Sequence, residues 1–187
     1  MSRLNKFSMN VAFLLYFVIL VWIITFKCNL SAPVSDCMYV FQPMSVGERL
    51  SYAMGTLKQL GKHLTGEDGV LNMLVFVPLG IFLALLPRSS RRSFSRSLAA
   101  AVLLTVGFET VQLFTCIGAA TASDVVANTL GFIIGYFLCV CIFRRLPDKT
   151  INYINAVIIA VALPIAVAAF VNTAYNIEIY NPAYYGL

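Results

Sequence analysis

Two carboxylates and three carboxamides lie inside or at the edges of apolar segments of this 187-residue sequence. They are Asn72, Glu109, Gln112, Asp124 and Asn128. An ionisable group in hydrocarbon costs on the order of 3 kcal/mol on insertion scales, so its presence needs a reason. Carboxylates act as general acids and bases, and carboxamides both donate and accept hydrogen bonds. The five residues therefore predict a ligand site or a polar interface between helices.

Their spacing places these residues on shared helix faces. Glu109 and Gln112 are three residues apart, and Asp124 and Asn128 are four apart, so each pair lies on one side of a helix. A rise of about 1.5 Å per residue puts Glu109 about 12 Å below the end of its segment and Asp124 at the rim. Three consecutive segments thus direct polar groups toward one end of the molecule.

A purely structural role is also open. The carboxamides could join helices by hydrogen bonds, while Gly131 and Gly135, on the same face as Asp124, let two backbones approach closely. Glu109 fits this role less well, because a carboxylate at that depth needs a partner or a proton. Its own and the neighbouring segments offer no obvious cation.

The composition predicts an all-α integral membrane protein. Hydrophobic residues make up 60% of the chain and charged residues 11%, and the mean hydropathy is +0.85. A soluble domain of this size would not cover so much apolar surface. The net charge of +5 is held in short clusters between apolar runs, which is typical of topology signals. We therefore expect contacts with membrane lipids and no nucleic-acid partner.

Five apolar runs are long enough to cross a bilayer. They predict one compact domain over 1–187, with transmembrane helices at about 9–26, 70–87, 98–117, 125–143 and 151–171. The loop between the first two contains an amphipathic segment at about 45–64, whose start at Ser45 and Glu48 has the pattern of a capping box. We expect an interfacial helix there, on the outer membrane surface or across the mouth of the bundle.

Basic residues predict the orientation. Nine Lys and Arg flank the ends that would be cytoplasmic if the N-terminus is inside, against four in the first loop. The positive-inside rule then favours a multi-pass protein with a cytoplasmic N-terminus and an extracellular C-terminus. The polar residues would face the outer leaflet.

Other candidate chemistry is weak. The five cysteines do not form a metal-binding pattern, although Cys28 and Cys37 could form a disulfide outside the membrane. We expect no metal and no cofactor. His63, the single histidine, is expected on a solvated face of the loop helix. If the protein is an enzyme, Glu109 and Asp124 are the candidate acid and base.

The polar segments resemble those of a known family, the VanZ-like membrane proteins. The resemblance covers roughly residues 9–145 and rests in order on Leu15-Tyr16, Trp22, Phe26-Lys27, Asn72-x-x-x-Phe76-x-Pro78-x-Gly80, Glu109-x-x-Gln112, Ile117-Gly118-Ala119 and Asp124-x-x-x-Asn128-Thr129-x-Gly131-x-x-x-Gly135. Many relatives carry a further Asp three residues before Asp124 and often an Arg three before that. Thr121 and Gly118 stand there in this chain, so Thr121 is a further candidate contact through its hydroxyl.

The resemblance implies a bacterial, Gram-positive plasma-membrane protein that lowers susceptibility to teicoplanin-type lipoglycopeptide antibiotics. An outward-facing site of this kind would bind an amphiphile, such as the lipid-linked cell-wall precursor, the drug's acyl tail or a lipid. We regard this non-enzymatic binding function as the leading hypothesis. The alternatives are an enzyme that modifies a lipid-linked glycan or a phospholipid headgroup, and a structural accessory of the cell-envelope machinery.

Overall fold

The computed structural model describes residues 3–26, 43–85, 94–116, 119–142 and 145–179, and every regular element among them is helical. The elements are α1 (Arg3–Phe26), α2 (Val46–Gly55), a 3-10 turn (Thr56–Gln59), α3 (Leu60–Thr65), α4 (Glu67–Leu85), α5 (Phe94–Thr115), α6 (Ala122–Cys141) and α7 (Asp148–Ile179). The predicted all-α class is confirmed. The proposed Cys28–Cys37 disulfide, Lys27, Ile117 and Gly118 lie outside the described residues.

Five of these helices are long and apolar enough to cross a membrane. The candidate spans are Phe7–Ile24, Glu67–Leu85, Phe94–Thr115, Ala122–Cys141 and Lys149–Ala168. Burial along α5 is inverted relative to a soluble protein, since Leu103 is 72% exposed while Thr105 and Gln112 are at most 1% exposed. A lipid-facing helix shows this distribution, because hydrocarbon solvates leucine and excludes polar groups. The chain is a multi-pass membrane protein.

The helices divide into two compact units. The first unit, Met1–Asp36 with Asp148–Leu187, packs α1 against α7. In α1 the buried residues Met9, Ala12 and Leu20 follow helical spacing. The single domain over 1–187 stays a prediction.

The second unit, Cys37–Pro147, contains α2 to α6. Its closest helix pair is α4 and α6, whose backbones touch at glycines. A Cβ atom on Gly131 would meet the carbonyl of Met73, and one on Gly135 would meet the carbonyl of Val77. A Cβ atom on Gly80 of α4 would likewise meet the carbonyl of Phe132. Only glycine permits this approach, which sets the register of α4 against α6.

The predicted loop helix forms as three short pieces. Ser45 accepts a hydrogen bond from the amide of Glu48, and the Glu48 carboxylate accepts one from the amide of Ser45 at 2.7 Å, which confirms the capping box. α3 ends at Thr65, and α4 starts two residues later, after Gly66. Gly69 of α4 packs against the backbone of His63, so α3 turns sharply into the first long helix of this unit.

Candidate ligand site at the mouth of the second unit

One end of the second unit, here called the mouth, is where α4 and α6 begin and α5 ends. The loop segment α2–α3 is held across it by two hydrogen bonds to the long helices. The guanidinium of Arg49 donates to the carbonyl of Leu113 in the last turn of α5, at 2.9 Å. The amide of Ser123 donates to the Thr56 hydroxyl at 3.2 Å. The Arg49 bond places a cation at the C-terminus of α5, where the last carbonyls of a helix lack partners within the helix.

The start of α6 is built by Thr121. Its backbone is extended, and its hydroxyl accepts the amide of Asp124 at 3.3 Å, as an N-cap residue does. The amide of Thr121 itself donates a hydrogen bond to a side chain of α5. Thr121 thus serves two neighbours at once, and its hydroxyl is engaged within the protein.

Glu109 of α5 receives that amide. The Thr121 N–H donates to Oε2 of Glu109 at 2.7 Å, and the Glu109 side chain is 8% exposed. The partner that the sequence did not reveal is therefore a backbone donor beside the N-terminus of α6, where the helix dipole favours negative charge. The contact links the ends of α5 and α6.

Asp124 of α6 faces His63 of α3. The imidazole Nε2 lies 2.8 Å from Oδ1 of Asp124, and the two side chains are 21% and 2% exposed. The distance is that of an ion pair when the imidazole is protonated, although the angles are not those of an aligned hydrogen bond. The expectation that His63 lies on a solvated face is wrong, because α3 turns this residue inward over α6.

A second polar contact lies deeper between α5 and α6. The side-chain amide of Asn128 donates to the Thr105 hydroxyl at 2.7 Å, and both residues are fully buried. Oδ1 of Asn128 has no hydrogen-bond partner among the described residues. This pair fits the structural hypothesis for the carboxamides, since it joins two membrane helices.

A cavity of about 510 Å³ opens at the mouth. Its lining comes from α2, the 3-10 turn, α3 and the first turns of α4 and α6, and comprises Tyr52, Gly55, Thr56, Gln59, Lys62, His63, Gly66, Glu67, Asp68 and Ser123. The volume is within the range of small-ligand pockets. His63 is both a wall of the cavity and the partner of Asp124, so it connects the cavity to the buried carboxylates.

Four of the predicted site residues lie on α5 and α6. Glu109, Gln112, Asp124 and Asn128 are all buried there. Asn72 lies on α4, is half-buried, and makes no side-chain hydrogen bond within the part of the chain that the structure describes. In that same part, no group of three or more His, Cys, Asp or Glu side chains could hold a metal ion.

Sequence reasoning missed four residues of this region. His63, Thr56 and Ser123 lie at the mouth, and Thr105 lies one turn before Glu109. Thr105 could have been found by extending the Glu109 face backward by four residues. The other three carried no local signal, because the partners are far apart in the chain, 67 residues for the Thr56–Ser123 bond.

Comparison with known proteins decides the family. The VanZ/LLP1 family model matches residues 13–144, which is more than two thirds of the chain. The chain belongs to the VanZ/LLP1 family. Protein VanZ of Enterococcus faecium is 27% identical over 123 residues, which cover 65% of this chain and 66% of VanZ. The chain thus spans just under two thirds of the length of that relative. No solved structure matches the chain.

The VanZ/LLP1 match contains all of the mouth. It runs from within α1 to just beyond α6, and it leaves out α7. The resemblance noted in the sequence is therefore confirmed at the level of the family, and the segments that carry it are the helices that build the site.

Proposed function

We propose that this VanZ/LLP1 protein binds an amphiphile at its mouth, in the outer leaflet of a bacterial plasma membrane, and thereby lowers susceptibility to teicoplanin-type lipoglycopeptides. The observation that carries the proposal is the continuity between the cavity and the buried carboxylates. His63 lines the cavity and contacts Asp124, whose amide is capped by Thr121, and Thr121 donates to Glu109.

The surroundings of the cavity suit an amphiphile. Polar groups gather at its walls, while α4 exposes Leu71 and Leu74 to 58% and 59% immediately below. The apolar residues of α2 are exposed too, including Leu50 and Met54 at 50% and 54%. A headgroup in the cavity would thus have apolar surface beside it for acyl chains. Candidate ligands are the lipid-linked cell-wall precursor, the drug's acyl tail and a membrane lipid.

The test is antibiotic susceptibility in a susceptible Gram-positive host. We expect the wild-type protein to raise the inhibitory concentration of teicoplanin, and Glu109→Gln and Asp124→Asn to return it to that of the empty-vector host. Glu48→Gln is the matched control, because Glu48 is exposed, lies outside the cavity, and glutamine still completes a capping box. Full protection by both site variants at normal protein abundance would refute the proposal.

Vancomycin provides a second arm in the same host. It lacks the acyl tail of teicoplanin, so binding of the drug tail predicts protection against teicoplanin alone. Binding of the cell-wall precursor predicts some protection against both drugs, because both act on that precursor. Loss of folded protein in the site variants would favour the structural-accessory hypothesis instead.

Catalysis is a second candidate, favoured by the 2.8 Å contact between His63 and Asp124 beside the cavity. A carboxylate-oriented imidazole is a common general base. The reaction class would be modification of a lipid-linked glycan or a phospholipid headgroup, with Glu109 as the second acid–base group. Mass spectrometry of lipids and precursors should then show a modified species that disappears in Asp124→Asn and in His63→Gln.

A further inference from the structure

The charged groups at the mouth cavity have a definite arrangement. Lys62 comes from α3, and Glu67 and Asp68 come from the first turn of α4, on the other side of Gly66. All three side chains are exposed and line the cavity. One cation and two carboxylates at one rim match a ligand that carries both a positive and a negative group.

The two carboxylates alone would not indicate a ligand, because acidic residues in a first turn also complement the helix dipole. The inner wall of the cavity supplies an independent observation. Ser123 is fully buried and lines the cavity, and its hydroxyl has no hydrogen-bond partner among the described residues. A buried hydroxyl without a partner is unfavourable, so this group is suited to a bond with a bound molecule.

The level of the cavity points to a lipid headgroup. Glu67 begins one candidate span, and Ser123 is the second residue of another. The charged rim therefore lies where hydrocarbon gives way to headgroups. The exposed Val70, Leu71 and Leu74 lie within two helical turns after Asp68 along α4. A ligand anchored in the bilayer would present its headgroup at the rim and its chains along this face.

Resting on the proposed function, we infer that the mouth cavity selects a zwitterionic headgroup with a primary ammonium. The ammonium contacts the Glu67 and Asp68 carboxylates, the phosphate contacts Lys62, and the Ser123 hydroxyl bonds the headgroup from the inner wall. A primary ammonium donates up to three hydrogen bonds, whereas a quaternary ammonium donates none. The site should therefore distinguish ethanolamine from choline headgroups of equal net charge.

The test is lipid retention by the full-length protein, measured by native mass spectrometry. The protein is equilibrated with mixed micelles of phosphatidylglycerol and an equal fraction of phosphatidylethanolamine or phosphatidylcholine. We expect phosphatidylethanolamine to be retained over phosphatidylcholine by about fivefold, the ratio that hydrogen bonds from the primary ammonium with a net value of about 1 kcal/mol supply. The double variant Glu67→Gln/Asp68→Asn should lose that preference. Equal retention by the wild type, or a preference that survives the double substitution, would overturn the inference.

Two further variants separate binding from folding. Lys62→Gln should weaken retention of both phosphate headgroups, whereas its matched control Lys58→Gln, exposed and outside the cavity, should not. Ser123→Ala should lower retention of phosphatidylethanolamine while keeping or raising the melting temperature of the lipid-free protein, because it removes an unsatisfied polar atom. A Ser123→Ala protein that melts lower and retains lipid normally would contradict the assigned role of the hydroxyl.

Soluble phosphoethanolamine identifies the source of the headgroup. Displacement of bound lipid by this compound, and not by phosphocholine, supports recognition of the ammonium in free compounds as well as lipids. An intact lipid preference without displacement supports recognition of a membrane lipid. If the cavity does not discriminate between headgroups although Glu109→Gln and Asp124→Asn abolish antibiotic protection, the headgroup assignment fails and the proposed function stands. If the wild type prefers phosphatidylethanolamine but gives no protection against teicoplanin, the headgroup assignment stands and the proposed function fails.

Discussion

At the scale of single residues, the buried polar groups have partners that only a folded helix pair supplies. Asn128 and Thr105 are fully buried on neighbouring helices and joined by one side-chain hydrogen bond. Hydrocarbon offers no alternative donor or acceptor, so removing one partner leaves the other unsatisfied. Measured values for such bonds in membrane proteins are nevertheless modest, at about 1 kcal/mol.

We therefore expect Thr105→Val to lower the unfolding free energy by about 1 kcal/mol. The same substitution at Thr110 of α5 is the matched control. Among the described residues, the Thr110 hydroxyl donates only to the carbonyl of Val106 in its own helix. Reversible unfolding in mixed detergent micelles measures both variants. Equal effects of the two substitutions would show that the interhelical bond contributes nothing of its own.

The structure gives a role to Thr121, the residue at which this chain departs from the family pattern. The family resemblance implies an aspartate at this position in many relatives, and on that basis Thr121 was a candidate ligand contact. In this chain the Thr121 hydroxyl accepts the amide of Asp124 at the start of α6. Aspartate and threonine are both favourable N-cap residues, so either residue satisfies the helix terminus. The substitution is therefore compatible with an unchanged α6 start.

At the scale of elements, glycine positions determine which helices approach most closely. Gly131 and Gly135 of α6 lie against backbone carbonyls of α4, so an added methyl group would have to push two helices apart. Backbone does not yield as a flexible side chain does. The α4–α6 contact should therefore be the part of the second unit that tolerates substitution least.

Gly135→Ala should destabilise the protein by about 1–3 kcal/mol, the usual range for overpacking. Gly107→Ala is the control, since a Cβ there meets nothing within 4 Å. Alanine in an open helical position should be neutral or stabilising by up to about 1 kcal/mol. Thermal unfolding of both variants in detergent tests the difference. A Gly135→Ala protein as stable as wild type would mean that α4 and α6 can separate without loss.

The capping box of α2 gives a pH dependence. Hydrogen bonds from the hydroxyl and the backbone amide of Ser45 to the carboxylate lower the pKa of Glu48 below its usual 4.5. A lowered pKa in the folded state means that the cap stabilises α2 above pH 4.5 and is lost as the pH falls through the lowered pKa.

We expect the first turn of α2 to fray when the pH falls below the lowered pKa of Glu48. Backbone NMR shifts of residues 46–50 in micelles measure this change. Glu48→Ala should be frayed already at pH 7 and change little with acid. Glu48→Gln should remain capped across the same range, because an amide does not titrate. A titration identical in wild type and Glu48→Gln would assign the transition to another group.

At the scale of the whole molecule, orientation decides whether the mouth meets outer-leaflet ligands. Nine basic residues against four favour an N-terminus inside. In a cysteine-free background, Lys58→Cys should react with an impermeant maleimide on intact cells, and Arg145→Cys only after permeabilisation. Both positions are exposed, so accessibility depends on the side of the membrane. The opposite labelling pattern would turn the mouth inward and exclude an outer-leaflet ligand.

The sequence by itself determined the class of protein, the five apolar segments and the faces on which Glu109, Gln112, Asp124 and Asn128 lie. These features depend on local hydrophobicity, on bilayer thickness and on the helical repeat, all of which are short-range. It also determined the start of α2, because a capping box involves residues three apart. The five long helices begin a few residues before the predicted spans, since helices continue past their apolar cores into the headgroup region.

Only the tertiary structure decided the partners. The contact between His63 and Asp124, the bond between Asn128 and Thr105, and the cavity above them join segments whose order of packing the periodicity does not specify. Helix register follows from close contacts such as Gly135 against Val77, and a shift of one residue would move each polar group to another face. The site therefore depends on how α4, α5 and α6 pack, even though Glu109, Gln112, Asp124 and Asn128 were predicted from the sequence.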